Sequence, residues 1–149
     1  RSMNESLDKQ PKNTLERGEE LRRRILVVDN EEGVKNMLVA ALEAFGYDVV
    51  TANNGKELLE KVRSSGEKKF TAVITDNNMP EMNGIDALEE LREKNPDFDE
   101  LLIIFMSGLF NDELKSRAER LKNVRCLKKP FGIFDLKKII EEMIEKSSS

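Results

Sequence analysis

The chain has no histidine and no tryptophan, and only one cysteine and one tyrosine in 149 residues. Without histidine it cannot assemble a Ser-His-Asp triad, a Cys-His pair or a His-ligated zinc, and it cannot donate a phosphoryl group from a phosphohistidine of its own. The lone cysteine, Cys126, forms neither an intrachain disulfide nor a cysteine metal cage, which fits a reducing compartment, and its neighbours Val124 and Leu127 point to a buried strand position. Long apolar runs are also missing. None approaches the ~18 to 20 residues of a spanning helix, and the N-terminus lacks the apolar centre of a signal peptide. Basic residues are in deficit, 25 against 29 acidic for a net charge of -4, which argues against direct capture of nucleic-acid phosphates. What remains for chemistry is carboxylates, amides, hydroxyls and lysine, in a chain that reads as cytoplasmic, outside the membrane, and long enough for one domain.

That domain is expected over residues 24–146. Residues 1–3 read as a tag remnant, residues 4–23 as a polar tail or linker with a short helix from Thr14 to Arg23, and residues 147–149 as a C-terminal tail. From Arg24 onward, short aliphatic runs alternate with helical periodicities. The runs are Ile25 to Val28, Tyr47 to Thr51, Thr71 to Thr75, Leu101 to Met106 and Val124 to Leu127. Between them, Val34, Met37, Leu38, Ala41, Leu42 and Phe45 follow helical spacing, as do Leu58, Leu59 and Val62, then Ile85, Leu88 and Leu91. A weaker helix covers Asn111 to Leu121, and a fifth runs from Phe134 to Ile144. The order strand-helix repeated five times predicts an α/β fold with right-handed crossovers and a parallel sheet covered on both faces. This explains why ILVV, AVI and LLIIF are apolar without alternation. Gly46 is expected as a helix C-cap, Asn53-Asn54-Gly55 and Met82-Asn83-Gly84 open helices, and Asn95-Pro96 stops one.

Ligands of such sheets bind outside the carboxyl ends of the strands. The first run ends in Asp29-Asn30-Glu31, the third in Asp76-Asn77-Asn78-Met79-Pro80, the fourth in Ser107-Gly108 and the fifth in Lys128-Lys129-Pro130-Phe131. Two carboxylates on adjacent strand ends repel each other, by about 4 kcal/mol at ~4 Å and an effective dielectric near 20. A hard divalent cation relieves this, and Mg2+ needs only one or two carboxylates beside phosphate oxygens and water. Lys129 adds an ammonium and Ser107 a hydroxyl, either able to bond a carboxylate or a phosphoryl group. Singly, Asp29 is as well explained as a helix cap, Ser107 as a turn residue and Lys129 as a solvated charge. Together with Asp76 they are four complementary groups on four strand ends.

Ile25 to Glu31, the Ile74 to Gly84 block ITDNNMPEMNG, Phe105-Met-Ser-Gly108 and Cys126-Leu-Lys-Lys-Pro-Phe131 resemble the signature blocks of the receiver domain of bacterial two-component response regulators. The resemblance implies a (βα)5 doubly wound five-stranded parallel sheet in the flavodoxin-like order 2-1-3-4-5. It implies Asp76 as phosphoacceptor for a phosphohistidine on a sensor histidine kinase or phosphotransfer protein, in a domain that assists its own phosphorylation and dephosphorylation rather than acting as an enzyme. Mg2+ would be held by Asp29, Asp76 and the backbone carbonyl of Asn78, with Asn30 where the family usually has a second carboxylate. Lys129 would pair with the acceptor and then its phosphoryl group, and the Lys129-Pro130 bond would be cis. Ser107 would be the switch hydroxyl. Cys126 stands where relatives often carry a rotating aromatic, so its alternatives are a switch position or plain core volume. The readout face toward a downstream protein would be the fourth helix, fifth strand and fifth helix, with pairing of two copies there left open.

Other readings of the same residues are a degenerate receiver acting as a constitutive interaction module, and a phosphohydrolase of the haloacid dehalogenase type using Asp29. A flavodoxin-like binding module fits less well, because the acidic Asn30-Glu31-Glu32 turn would repel a phosphate.

Overall fold

The computed structural model describes residues 22–148; the short helix expected from Thr14 to Arg23 falls almost wholly outside them. Five strands, β1 (Arg24–Val28), β2 (Asp48–Ala52), β3 (Ala72–Asp76), β4 (Leu102–Ser107) and β5 (Val124–Lys128), alternate with five helices. These are α1 (Glu32–Ala44), α2 (Gly55–Arg63), α3 (Gly84–Lys94), α4 (Asp112–Glu119) and α5 (Ile133–Ser148). All pairings are parallel and the sheet order is β2-β1-β3-β4-β5, as the repeat and the resemblance imply.

Alternate strand residues feed two cores. Leu26, Val28, Val73, Ile103 and Phe105 meet Leu58, Leu59 and Val62 of α2, Ile85, Leu88 and Leu91 of α3, and Ala118 of α4. Ile25, Val27, Ile74, Ile104 and Met106 point the other way, against Leu38 and Leu42 of α1 and Leu136, Ile140 and Met143 of α5. Burial on both faces, each large side chain contributing about 1.5–3 kcal/mol, accounts for the absence of alternation in these strands.

Four of the five strands end one residue later than hydrophobicity suggests, while β1 stops at the expected Val28. The apolar runs stop at Thr75 and Met106, but the ladder continues, with Asp76 opposite Met106 and Ser107 opposite Lys128. Main-chain pairing is indifferent to side-chain polarity, so the two chemical residues sit inside the sheet rather than in the loops after it. Helix α5 also outruns its apolar stripe, because Glu145, Lys146 and Ser147 extend it without any apolar signal. The expected punctuation is present: Gly46 has φ 99° after α1, Asn54 accepts the Glu57 N–H at 2.9 Å to cap α2, and Asn95 ends α3 before a 3-10 turn at Pro96–Phe98.

Candidate functional site at the carboxyl edge of the sheet

Asp29 follows β1 and is fully buried (0% exposed), its N–H bonded to the Ala52 carbonyl at 3.1 Å. Its Oδ1 accepts the Glu31 N–H at 3.0 Å, which turns the chain into α1. Its Oδ2 is buried without a hydrogen-bond partner. The side chain therefore combines the turn role with an oxygen aimed into the site. Burial raises the Asp29 pKa above the ordinary carboxylate value, the Asp76 charge adds to this, and the Glu31 N–H and Lys129 oppose it.

Asp76 is buried at the end of β3, and its Oδ1 accepts the Asn77 N–H at 2.8 Å. The reason for Gly84 is visible here, since a Cβ on it would lie 2.1 Å from the Asp76 carbonyl oxygen. Only glycine lets α3 start against the Asp76 backbone. Lys129 bridges the two acids: its Nζ lies 3.3 Å from Asp76 Oδ1 and 3.7 Å from Asp29 Oδ2. The Lys129 N–H donates to the Ser107 carbonyl at 2.9 Å, and the Lys129-Pro130 bond is cis.

Ser107 is buried and lies beside this cluster through the sheet, in register with Lys128, but its hydroxyl is engaged elsewhere. It donates to the Leu109 carbonyl at 3.1 Å and accepts the Leu109 N–H at 3.2 Å. Asn30 and Asn78 are exposed, and neither side chain has a hydrogen-bond partner among the described residues. Cys126 is half-buried rather than buried, in register with Phe105 of β4. Burial, and secondarily Glu119, push its thiol pKa up, away from reactivity.

Asn77 was not legible as a site residue. Its Oδ1 accepts the Ile85 N–H at 3.0 Å and its carbonyl accepts the Gly84 N–H at 2.9 Å, so it caps α3 in place of Asn83, whose side chain makes no cap bond. The available signal was a second amide beside Asn78 where one would suffice.

Among the described residues no group of three or more His, Cys, Asp or Glu is placed to hold a metal. Magnesium asks for less, and the donor set fits it: two carboxylates share one ammonium, for a net charge of about -1, and one buried oxygen of Asp29 lacks a hydrogen-bond donor. No helix of the described residues is long and apolar enough to cross a membrane.

A family model described as the response regulator receiver domain matches residues 25–141. The chain is 34% identical over 122 residues to the response regulator receiver protein CpdR of Brucella abortus (strain 2308), covering 82% of this chain and 97% of that protein. It is 35% identical to the sensor kinase CckA of the same organism over 82% of this chain but only 12% of that protein. The chemotaxis response regulator CheY4 of Vibrio cholerae superposes with a TM-score of 0.72 at 26% identity, covering 82% of this chain and 98% of that structure. The response regulator TrrA of Thermotoga maritima, in complex with Mg(2+)-BeF, gives 0.68 at 30% identity, covering 81% of this chain and 98% of that one. With its sheet order, its acidic strand ends and its bridging lysine accounted for, the chain belongs to the response regulator receiver domain family.

Proposed function

We propose that this receiver accepts a phosphoryl group on Asp76 from a phosphohistidine of a sensor kinase or phosphotransfer protein. The observation that carries the reading is the Lys129 ammonium, within 3.3 Å of Asp76 and 3.7 Å of Asp29 at the carboxyl edge of the sheet. The donor histidine lies outside these 149 residues, which contain none.

Asp76 Oδ1 carries both donors, the Asn77 N–H and Lys129. Oδ2 has no donor among the described residues and is the nucleophile. As the Oδ2–P bond forms, the P–N bond to the imidazole breaks, and the imidazole leaves with the electron pair and takes up a proton. Lys129 follows the negative charge from the carboxylate to the phosphoryl oxygens, a short move for a side chain already between two acids. Asp29, Asp76 and the Asn78 carbonyl would hold Mg2+, which when bound supplies Lewis-acid stabilisation of the transferred group. Asn30 would offer a neutral oxygen to the same ion. The Ser107 hydroxyl would exchange Leu109 for the phosphoryl group, and α4, β5 and α5 would carry the change to a downstream protein. The domain so described assists its own phosphorylation and dephosphorylation and turns over no separate substrate. The family match and the binding of Asp29 Oδ1 in a turn disfavour a phosphohydrolase with Asp29 as nucleophile.

Intact-mass measurement with acetyl phosphate and Mg2+ tests this. The wild type should gain one phosphoryl group and Asp76→Ala none; an adduct on both, or on neither, overturns the assignment and in the second case favours a constitutive interaction module.

A further inference from the structure

Lys35 of α1 is 6% exposed, and among the described residues it is the only basic side chain buried to that degree. Phosphoryl transfer as proposed makes no use of it, yet taking an ammonium out of water is costly unless its bonds repay the loss. Its Nζ lies 2.9 Å from Glu32 Oε1 on the same helix and donates to Asn53 Oδ1 in the loop after β2. The Glu32 side chain is 74% exposed, so that pair is screened and stabilises little. The bond to Asn53 is the one that joins two elements.

Asn53 is an amide set between opposite charges. Its Oδ1 accepts from Lys35, while its Nδ2 donates to Glu57 Oε1 at 3.2 Å and its N–H donates to the same oxygen at 3.0 Å. An aspartate could make the first bond but would meet Glu57 as a like charge with no donor to offer. Asn53 also stands directly beside the acid pocket, because the preceding Ala52 carbonyl accepts the Asp29 N–H at 3.1 Å.

The same loop grips the Asp76 side of the site. The Gly55 N–H donates to the Met82 carbonyl at 2.9 Å, and the buried Asn54 donates through Nδ2 to Glu81 Oε2 at 3.4 Å. The approach is close enough that a Cβ on Gly55 would lie 2.7 and 2.8 Å from the carbonyl oxygens of Asn83 and Met82. Glu81 itself takes φ 65°, a left-handed conformation uncommon outside glycine, so this stretch is held in one shape rather than left to its own preference. One loop is therefore bonded both to the start of α1 and to the segment that follows Asp76.

We propose that Lys35 is a positioning residue for the metal: through Asn53 it fixes the turn carrying Asp29 and Asn30 to the loop that also holds residues 81–83. The two groups of oxygens that Mg2+ would bridge, Asp29 and Asn30 on one segment and Asp76 and Asn78 on the other, then share a common reference. Magnesium accepts little departure from octahedral geometry, so a small loosening of one segment against the other lowers its affinity. The sign separates this role from a direct effect of charge. Removing a cation near a divalent ion tightens binding, whereas removing a brace weakens it. The inference rests on the proposed Mg2+ site.

Calorimetric titration of the full chain with Mg2+ tests it on wild type, Lys35→Met, Asn53→Ala and the double variant. Lys35→Met keeps the apolar stem and loses the ammonium, and its Kd should rise by roughly three- to tenfold, below the 10- to 100-fold typical of groups bonded to a ligand itself. Asn53→Ala should act in the same direction, and the double variant should bind no more weakly than the weaker single one, because the two residues form one tie. In chelator, without metal, hydrogen exchange should rise in residues 30–36 and 53–57 of both single variants and stay unchanged in residues 133–148. A Kd for Lys35→Met tighter than wild type or within twofold of it, or losses that add in the double variant, overturns the proposal. Asn53 is exposed, so Asn53→Ala carries the same test if Lys35→Met does not fold, and a Kd within twofold of wild type then overturns it. A wild type that binds no Mg2+ overturns the metal site itself, and is separable because it needs no variant.

Discussion

Replacing Asn30 with Asp should tighten the magnesium site without disturbing the fold. Asn30 is exposed, and its side chain has no hydrogen-bond partner among the described residues, so the substitution removes no contact. The site holds Asp29, Asp76 and Lys129, a net charge of about -1, and the change makes it about -2. A unit charge pair at ~4 Å in water is worth about 1 kcal/mol, so a carboxylate facing a divalent ion gains about 2 kcal/mol before screening. At 1.4 kcal/mol per decade this corresponds to roughly a thirtyfold lower Kd, and about tenfold once salt is allowed for. The chain has no tryptophan, so isothermal calorimetry or amide chemical shifts suit the titration better than intrinsic fluorescence. An affinity for Asn30→Asp within twofold of wild type, or weaker, would refute the reasoning and place position 30 outside the metal's reach.

Asp29→Asn should abolish most Mg2+ binding yet raise the stability of the metal-free protein at neutral pH, because it removes a buried charge whose desolvation outweighs its long ion pair with Lys129; a lower urea midpoint in chelator would contradict this. Gly84→Ala should cost about 1–3 kcal/mol from overlap with the Asp76 carbonyl, whereas Gly33→Ala in α1, where a Cβ meets nothing within 4 Å, should be neutral or stabilising by up to about 1 kcal/mol; equal urea midpoints for the two would refute the packing argument. Bonding to Arg117 lowers the Glu89 pKa, so its stabilisation is present above the unfolded carboxylate pKa and is lost as pH falls through the lower folded value; Glu89→Gln should be less stable than wild type at pH 7 and converge with it in acid, and a gap that persists in strong acid would contradict the linkage.

The fold was legible because doubly buried strands and amphipathic helices announce themselves by composition and period. Strand ends were less so: Asp76 and Ser107 pair within the sheet, and hydrogen-bond ladders leave no trace in hydropathy. The acids and Lys129 could be assembled from their places after strands, and the structure brings them within 4 Å of a common atom. The state of Ser107 could not be read, since a serine's residue type does not reveal whether it bonds its own loop or a neighbouring strand. Asn77 was hidden for a related reason. Its cap bond reaches Ile85, eight residues away, across a loop whose path no local pattern specifies. The Arg117 pairs and the Phe105–Phe110 contact likewise depend on how separate elements pack.

The division of labour between the two oxygens of Asp29 bears on which cation the site selects. Oδ1 is engaged by the Glu31 N–H, whereas Oδ2 has no hydrogen-bond donor and is the freer of the two for an ion. Calcium commonly takes carboxylates in bidentate fashion among six to eight ligands, while magnesium accepts single oxygens in an octahedron completed by water. If Asp29 holds the ion as proposed, a turn that engages one of its oxygens would disfavour bidentate binding of the larger ion, and a backbone amide at the start of a helix would become a determinant of metal selectivity.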